Sequence, residues 1–157
     1  MKICIYTSCK NLVDLDVEKQ IAACREYAAQ HSCDIVAGYG DLDLQDDIHR
    51  PALSWLLKAC YKKKYDAVLV YSIKNICTSL FEYFELRNRL HRYGVSIISV
   101  SEPPGSPAAQ CVEPLWELFC DYYKAEQSQK IRRGLKLEKM QRAEMPSGNT
   151  EAMGKGA

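Results

Sequence analysis

Two short segments gather most of the side chains that could do chemistry. The first is Thr7-Ser8-Cys9-Lys10, and the second runs Ser72-Ile73-Lys74-Asn75-Ile76-Cys77-Thr78-Ser79. Their types allow a serine hydroxyl as nucleophile, Ser8, with Lys10 and Lys74 as nearby cations. Alternating residues on a strand share a face, so Ser8 and Lys10 would point the same way. The plainer reading makes both lysines ordinary solvated loop residues. A third group lies at 124–142, where Lys124, Lys130, Arg132, Arg133, Lys136, Lys139 and Arg142 stand against Glu126 and Glu138. That segment carries +5 on a chain of net charge +1, which leaves −4 for the rest. Such a basic segment fits contact with a phosphate backbone, although cations are favoured at any helix C-terminus.

These loops need elements to hold them, and the sequence alternates strands with helices. Residues 2–6 form a short apolar run. Asp14 or Asp16 can cap a helix whose apolar positions Val17, Ile21, Cys24 and Ala28 recur at helical spacing. A second strand follows at 34–39, then a polar loop over 41–49 rich in aspartate. Pro51 opens the next helix, with Ala52, Leu53, Trp55, Leu56 and Ala59 as its apolar positions and Lys62-Lys63-Lys64 at its end. Residues 67–71 are nearly all apolar, as in a buried parallel strand. Ser79 and Glu82 fit a capping box for a helix that Gly94 stops. A fourth strand at 95–100 leads into Pro103-Pro104-Gly105-Ser106-Pro107, which breaks regular structure. One long helical pattern then covers 112–142, and 143–157 is a small, polar tail or the start of a linker.

This pattern predicts an α/β fold: an open, mostly parallel sheet with helices on both faces, followed by a long C-terminal helix. Residues 1–142 make one domain. Ligands in such sheets bind beyond the carboxyl ends of the strands, here 6–10, 39–46, 71–78 and 100–102. No Gly-x-Gly-x-x-Gly or Gly-x-x-x-x-Gly-Lys-Ser/Thr is present, so a dinucleotide or P-loop site is excluded. A response-regulator pocket could use Asp41 with Lys10 or Lys74, but lacks paired acids after the first strand. The eight cysteines include no Cys-x-x-Cys pair, and the three histidines are not spaced to help. Reduced, structural thiols are expected, with no metal and no cofactor. No run reaches the length of a membrane span, which makes a cytoplasmic protein the expectation.

Read in order, Tyr6, Gln20, Asp41, Arg50-Pro51-Ala52-Leu53, Asp66-Ala67-Val68-Leu69-Val70-Tyr71, Gly94-Val95 and Ile131-Arg132-Arg133-Gly134-Leu135 resemble the catalytic domain of the serine recombinases, the resolvase/invertase family. The resemblance covers about residues 1–140 and implies a resolvase-like fold. It also implies a first strand ending in Tyr-x-Arg-x-Ser, whose serine attacks a DNA phosphate. Here Lys10 holds that nucleophile position, and Ser8 holds the arginine two residues before it. In the second loop, the family's Asp and Arg become Lys74 and Asn75, and its later arginine becomes Thr78. The Ser-Gly pair of the mobile loop falls near Gln45-Asp46, the Glu-Arg pair of the long helix at Tyr123-Lys124, and a later arginine at Lys130. Arg50 is kept. A lysine amine cannot replace the hydroxyl that forms a transient phosphodiester, and the missing arginines would have clamped the phosphate oxygens.

The expectation is therefore a resolvase-like domain with a degenerate site at Ser8, Lys10, Arg50, Lys74, Asn75 and Thr78. It would act as a DNA-associated or recombinase-partnering accessory protein, with Lys130, Arg132, Arg133 and Lys136 meeting DNA. The long helix, with Leu115, Trp116, Phe119, Tyr122 and Tyr123, would serve a homodimer or a heterodimer with a related recombinase. Two other readings stand beside it: weak strand transfer by Ser8, and a protein-interaction module that keeps only the fold.

Overall fold

Four apolar runs form strands β1 (Lys2–Ser8), β2 (Asp34–Asp41), β3 (Ala67–Val70) and β4 (Ser96–Ser99). They pair in parallel in the order β2-β1-β3-β4. The structure, a computed structural model, describes residues 1–9, 16–42 and 49–144. Lys10, Asp14, Gln45-Asp46 and the tail from 145 lie outside the described residues, as does the side chain of Asp16.

Register fixes which residues share the carboxyl edge. Tyr6 pairs with Val70 and Tyr39, and Ser8 pairs with Asp41. Ile3, Ile5, Ala67 and Leu69 face helix α1 (Asp16–Gln30), packing against Cys24 and Ala28. The alternate residues Cys4, Tyr6, Val68 and Val70 are fully buried on the opposite face, toward α2 (Pro51–Tyr61) and α4 (Leu80–Tyr93). Fully buried Leu56, Cys60 and Leu90 belong to these two helices. Helices thus cover both faces, as the alternating pattern requires. Cys4, Cys9, Cys24, Cys60 and Cys77 are buried, and all eight cysteines are free.

Local signals explain most boundaries. Pro51 starts α2, and Gly94 ends α4 in the left-handed conformation at φ 76°. Ser79 Oγ accepts the Glu82 amide at 3.1 Å, but the Glu82 carboxylate reaches Thr78 rather than Ser79 itself. Trp55, one of the apolar positions of α2, is 63% exposed, because it lies off the buried Ala52–Leu56–Ala59–Cys60 stripe. A four-residue helix, α3 (Ile73–Ile76), occupies the loop after β3. The long helix α5 (Pro107–Glu144) begins five residues earlier than the apolar pattern does. Pro107 opens it behind Ser106, whose hydroxyl accepts the Ala109 amide at 3.2 Å.

The chain divides into two compact units, Met1–Glu117 and Leu118–Ala157. The sheet, α1–α4 and the first turns of α5 make the first, and the described part of the second is the remainder of α5. Among the described residues, no helix is long and apolar enough to cross a membrane.

Candidate functional site

At the carboxyl edge, the ends of β1 and β2 meet the starts of α2 and α3. Asp41 is buried there, and its two carboxylate oxygens accept three hydrogen bonds. These come from the Ala52 amide at 2.8 Å, the Leu53 amide at 3.0 Å and the Tyr6 hydroxyl at 2.8 Å. Both amides belong to the first turn of α2, which no helical carbonyl can satisfy, so Asp41 caps that helix from a neighbouring strand. Burial, then the Asp41 carboxylate beside it, pushes the Tyr6 phenol well above its usual range.

Ser8 and Arg50 converge on the turn of α3. Ser8 Oγ donates to the Asn75 carbonyl at 2.5 Å, and Arg50 Nη1 donates to the Ile76 carbonyl at 2.6 Å. Arg50 also lies 3.9 Å from Glu82, and its side chain is only 7% exposed. Glu82 in turn accepts both the amide and the hydroxyl of Thr78, at 2.7 and 2.8 Å. Asn75 is turned to local structure as well: its side chain accepts the Ser72 amide in the capping box of α3. The Cys77 thiol is pushed up to about 12 by burial, with Glu82 adding to the effect. Gln20 donates to the Ser8 carbonyl at 3.3 Å, while its buried Oε1 has no hydrogen-bond partner among the described residues.

Of the residues expected to form the site, Ser8, Arg50, Asn75 and Thr78 come together through these contacts. Lys74 is exposed, and Lys10 lies outside the described residues. One acid at this edge was missed. Glu102 accepts Ser72 Oγ at 2.9 Å, the Ile73 amide at 3.2 Å and Ser99 Oγ, and so ties the end of β4 to the start of α3. Burial would raise its carboxyl, but hydrogen bonds from Ser99, Ser72, Ser101 and Ile73 outweigh that and hold it below the usual range. The spacing Ser99-x-x-Glu102 at a strand end was the available signal. Glu102 also lines a cavity of about 870 Å³ along β4, between α4 and the first turns of α5; Ser8 and Arg50 do not line it. Among the described residues, no group of His, Cys, Asp and Glu could hold a metal ion.

In the first turns of α5, Glu113 takes a two-pronged ion pair from Arg87 at 3.0 and 3.1 Å. The Arg87 guanidinium lies over Trp116 at 4.5 Å from the ring centre. No residue of α5 is buried. Beyond Glu117, Phe119 and Tyr123 stack on each other, while Leu118 and Tyr122 are exposed. Lys130, Arg132, Arg133 and Lys136 are all exposed. Arg132, Lys136 and Lys139 recur at i, i+4 and i+7 and share one face, with Arg133 beside it. Lys130 lies on the other side of the helix, paired to Glu126 at 3.1 Å.

Residues 7–143 match the family described as Resolvase, N terminal domain. The chain belongs to the resolvase family. Solved resolvase-family structures share its fold at low identity. The N-terminal catalytic domain of TP901-1 integrase superposes with a TM-score of 0.66 at 19% identity, covering 81% of this chain and 99% of that one. A resolvase family site-specific recombinase from Streptococcus pneumoniae gives 0.62 at 14% identity, covering 87% and 99%. The C-terminal catalytic domain of ISC1926 TnpA, an IS607-like serine recombinase, gives 0.60 at 19%, covering 86% and 99%. No curated protein sequence matches the chain. The resolvase fold expected from the sequence, with its parallel sheet and long C-terminal helix, is therefore the fold observed.

Proposed function

We propose that this resolvase-type domain takes part in site-specific recombination as a DNA-associated accessory protein or partner of a related recombinase, without cutting DNA itself. One observation carries this reading: the serine and the arginine at the site are both committed to the backbone of α3. Ser8 is held by the Asn75 carbonyl and Arg50 by the Ile76 carbonyl. To attack a phosphate, Ser8 would first have to give up its hydrogen bond to the Asn75 carbonyl, and Arg50 would meet that phosphate with one of its five N–H donors already engaged. The family resemblance adds that lysine, not serine, stands at the nucleophile position, and that Asn75 and Thr78 replace charged clamps. Phosphoryl transfer draws most of its acceleration from positioning and from charge placed against the phosphate oxygens, and losing one such group costs about a hundredfold or more in rate.

What remains suits binding. Arg132, Arg133 and Lys136 are exposed on one side of α5, where they can meet a phosphate backbone, while Lys130 faces away and pairs with Glu126. Leu118 and Tyr122 on the same helix are 66% and 63% exposed, an apolar surface that fits a second copy or a related recombinase. The test is denaturing electrophoresis of the protein after incubation with a pool of labelled supercoiled plasmids. No covalent protein–DNA adduct is expected. An adduct that disappears in Ser8→Ala would overturn the proposal and install Ser8 as a nucleophile.

A further inference from the structure

A second surface, away from the carboxyl edge, combines cations and aromatic rings in a groove whose lining holds no acid, with exposed Glu85 one turn before Arg89 on α4. A groove of about 410 Å³ runs between the outer sides of α2 and α4, lined by Leu57, Lys58, Tyr61, Lys62, Arg89 and Tyr93 among others, none of them acidic. Lys58, Lys62 and Arg89 are exposed. Tyr61 is 69% exposed, yet its position is defined, because its ring meets Tyr93 edge-to-face at 5.4 Å. Trp55, 63% exposed, lies three residues before Lys58 and seven before Lys62, so it extends the same helix face. Cations at the end of α2 complement its dipole, which accounts for Lys62 in part. The dipole does not account for Arg89 on a different helix, nor for two large aromatic rings left in water beside the lysines.

We propose that this groove binds single-stranded nucleic acid, bases stacking on Tyr61 and Trp55 while Lys58, Lys62 and Arg89 hold the phosphates. Stacking needs an unpaired base, because a duplex buries its base faces against one another. Three cations facing a groove without carboxylates supply the backbone half of such a site, and the fixed Tyr61 ring the base half. An acidic peptide would use the same cations but would leave the exposed rings without a role. The surface is separate from the α5 residues of the proposed function, and the two can fail independently.

The test is fluorescence anisotropy of labelled oligothymidylate with the full chain, with Trp55 quenching read in parallel and salt titrated. Tyr61→Ala is expected to weaken binding about tenfold, and Tyr61→Phe to restore it. Lys58→Ala/Lys62→Ala should lower the slope of log affinity against log salt by about 1.4, about 0.7 for each phosphate left unneutralised. These residues are exposed, and circular dichroism confirms that each variant is folded. Absence of oligothymidylate binding overturns the proposal. So does binding that ignores these changes but is lost in Arg132→Ala/Arg133→Ala, which would assign it to α5. Equal binding of a duplex or of polyglutamate through the same residues overturns the single-strand assignment.

Discussion

Replacing Asp41 by alanine removes three acceptors at once from a buried corner of the molecule. The amides of Ala52 and Leu53 lose their only helix-end partner, which costs about 1–2 kcal/mol, as for a strong N-cap. The hydroxyl of fully buried Tyr6 is left without an acceptor, which costs about 1–3 kcal/mol more. Together these give a loss near 3 kcal/mol, or a fall in Tm of about 6–12 °C for a chain of this size. Urea unfolding followed by far-UV circular dichroism measures it. Asp41→Asn keeps one acceptor oxygen and should fall between the parent and Asp41→Ala. Tyr6→Phe removes the donor together with its need and should cost about 1 kcal/mol or less. If Asp41→Ala unfolds within about 0.5 kcal/mol of the parent, the reasoning fails, and Asp41 is not the anchor that joins β2 to α2.

Three other expectations rest on the same edge. Arg50→Ala leaves the buried Ile76 carbonyl without its charged donor and should destabilise by about 1.5–3 kcal/mol, read by the same unfolding curves. The Glu102 carboxyl is held below its ordinary value, so its contribution to stability is complete above about 4.5 and is lost as pH falls through its lower folded value. The stability gap between the parent and Glu102→Gln should therefore be widest near neutral pH and close on acidification; a gap that widens in acid would contradict this. Alkylation near neutral pH should reach exposed Cys111 first. Cys24, pushed up to about 11 by burial, and Cys77, pushed up to about 12, should label only on unfolding, as mass spectrometry of modified peptides would show.

The features legible in the sequence were those with local causes. The apolar run 67–71 gave β3, Pro51 the start of α2, and Ser79 and Gly94 the two ends of α4. Other features depended on partners far along the chain. The contact between Ser8 and Asn75 joins positions 67 residues apart and arises from the order in which β1 and β3 pair. Nothing near Asp41 in sequence signals that it will cap α2, although its place after the second strand marked it for attention. α3 is too short for any periodicity to register, and only Ser72 and Asn75, three apart, hint at its capping box. Pro107 reads as a breaker in the sequence, yet behind a capping serine the same residue starts a helix. The hydrophobicity of Trp55 does not say which side of α2 it takes, and the geometry of the helix places it in solvent.

The most direct test of DNA association without cleavage is binding of a labelled duplex by fluorescence anisotropy across a salt titration. If Arg132, Arg133 and Lys136 each meet a phosphate, log affinity should fall with log salt at a slope of about −2.7. Arg132→Ala/Arg133→Ala should make that slope shallower by about 1.8. Absence of binding at low salt, or a slope unchanged by that double substitution, would contradict a DNA-contacting role for α5.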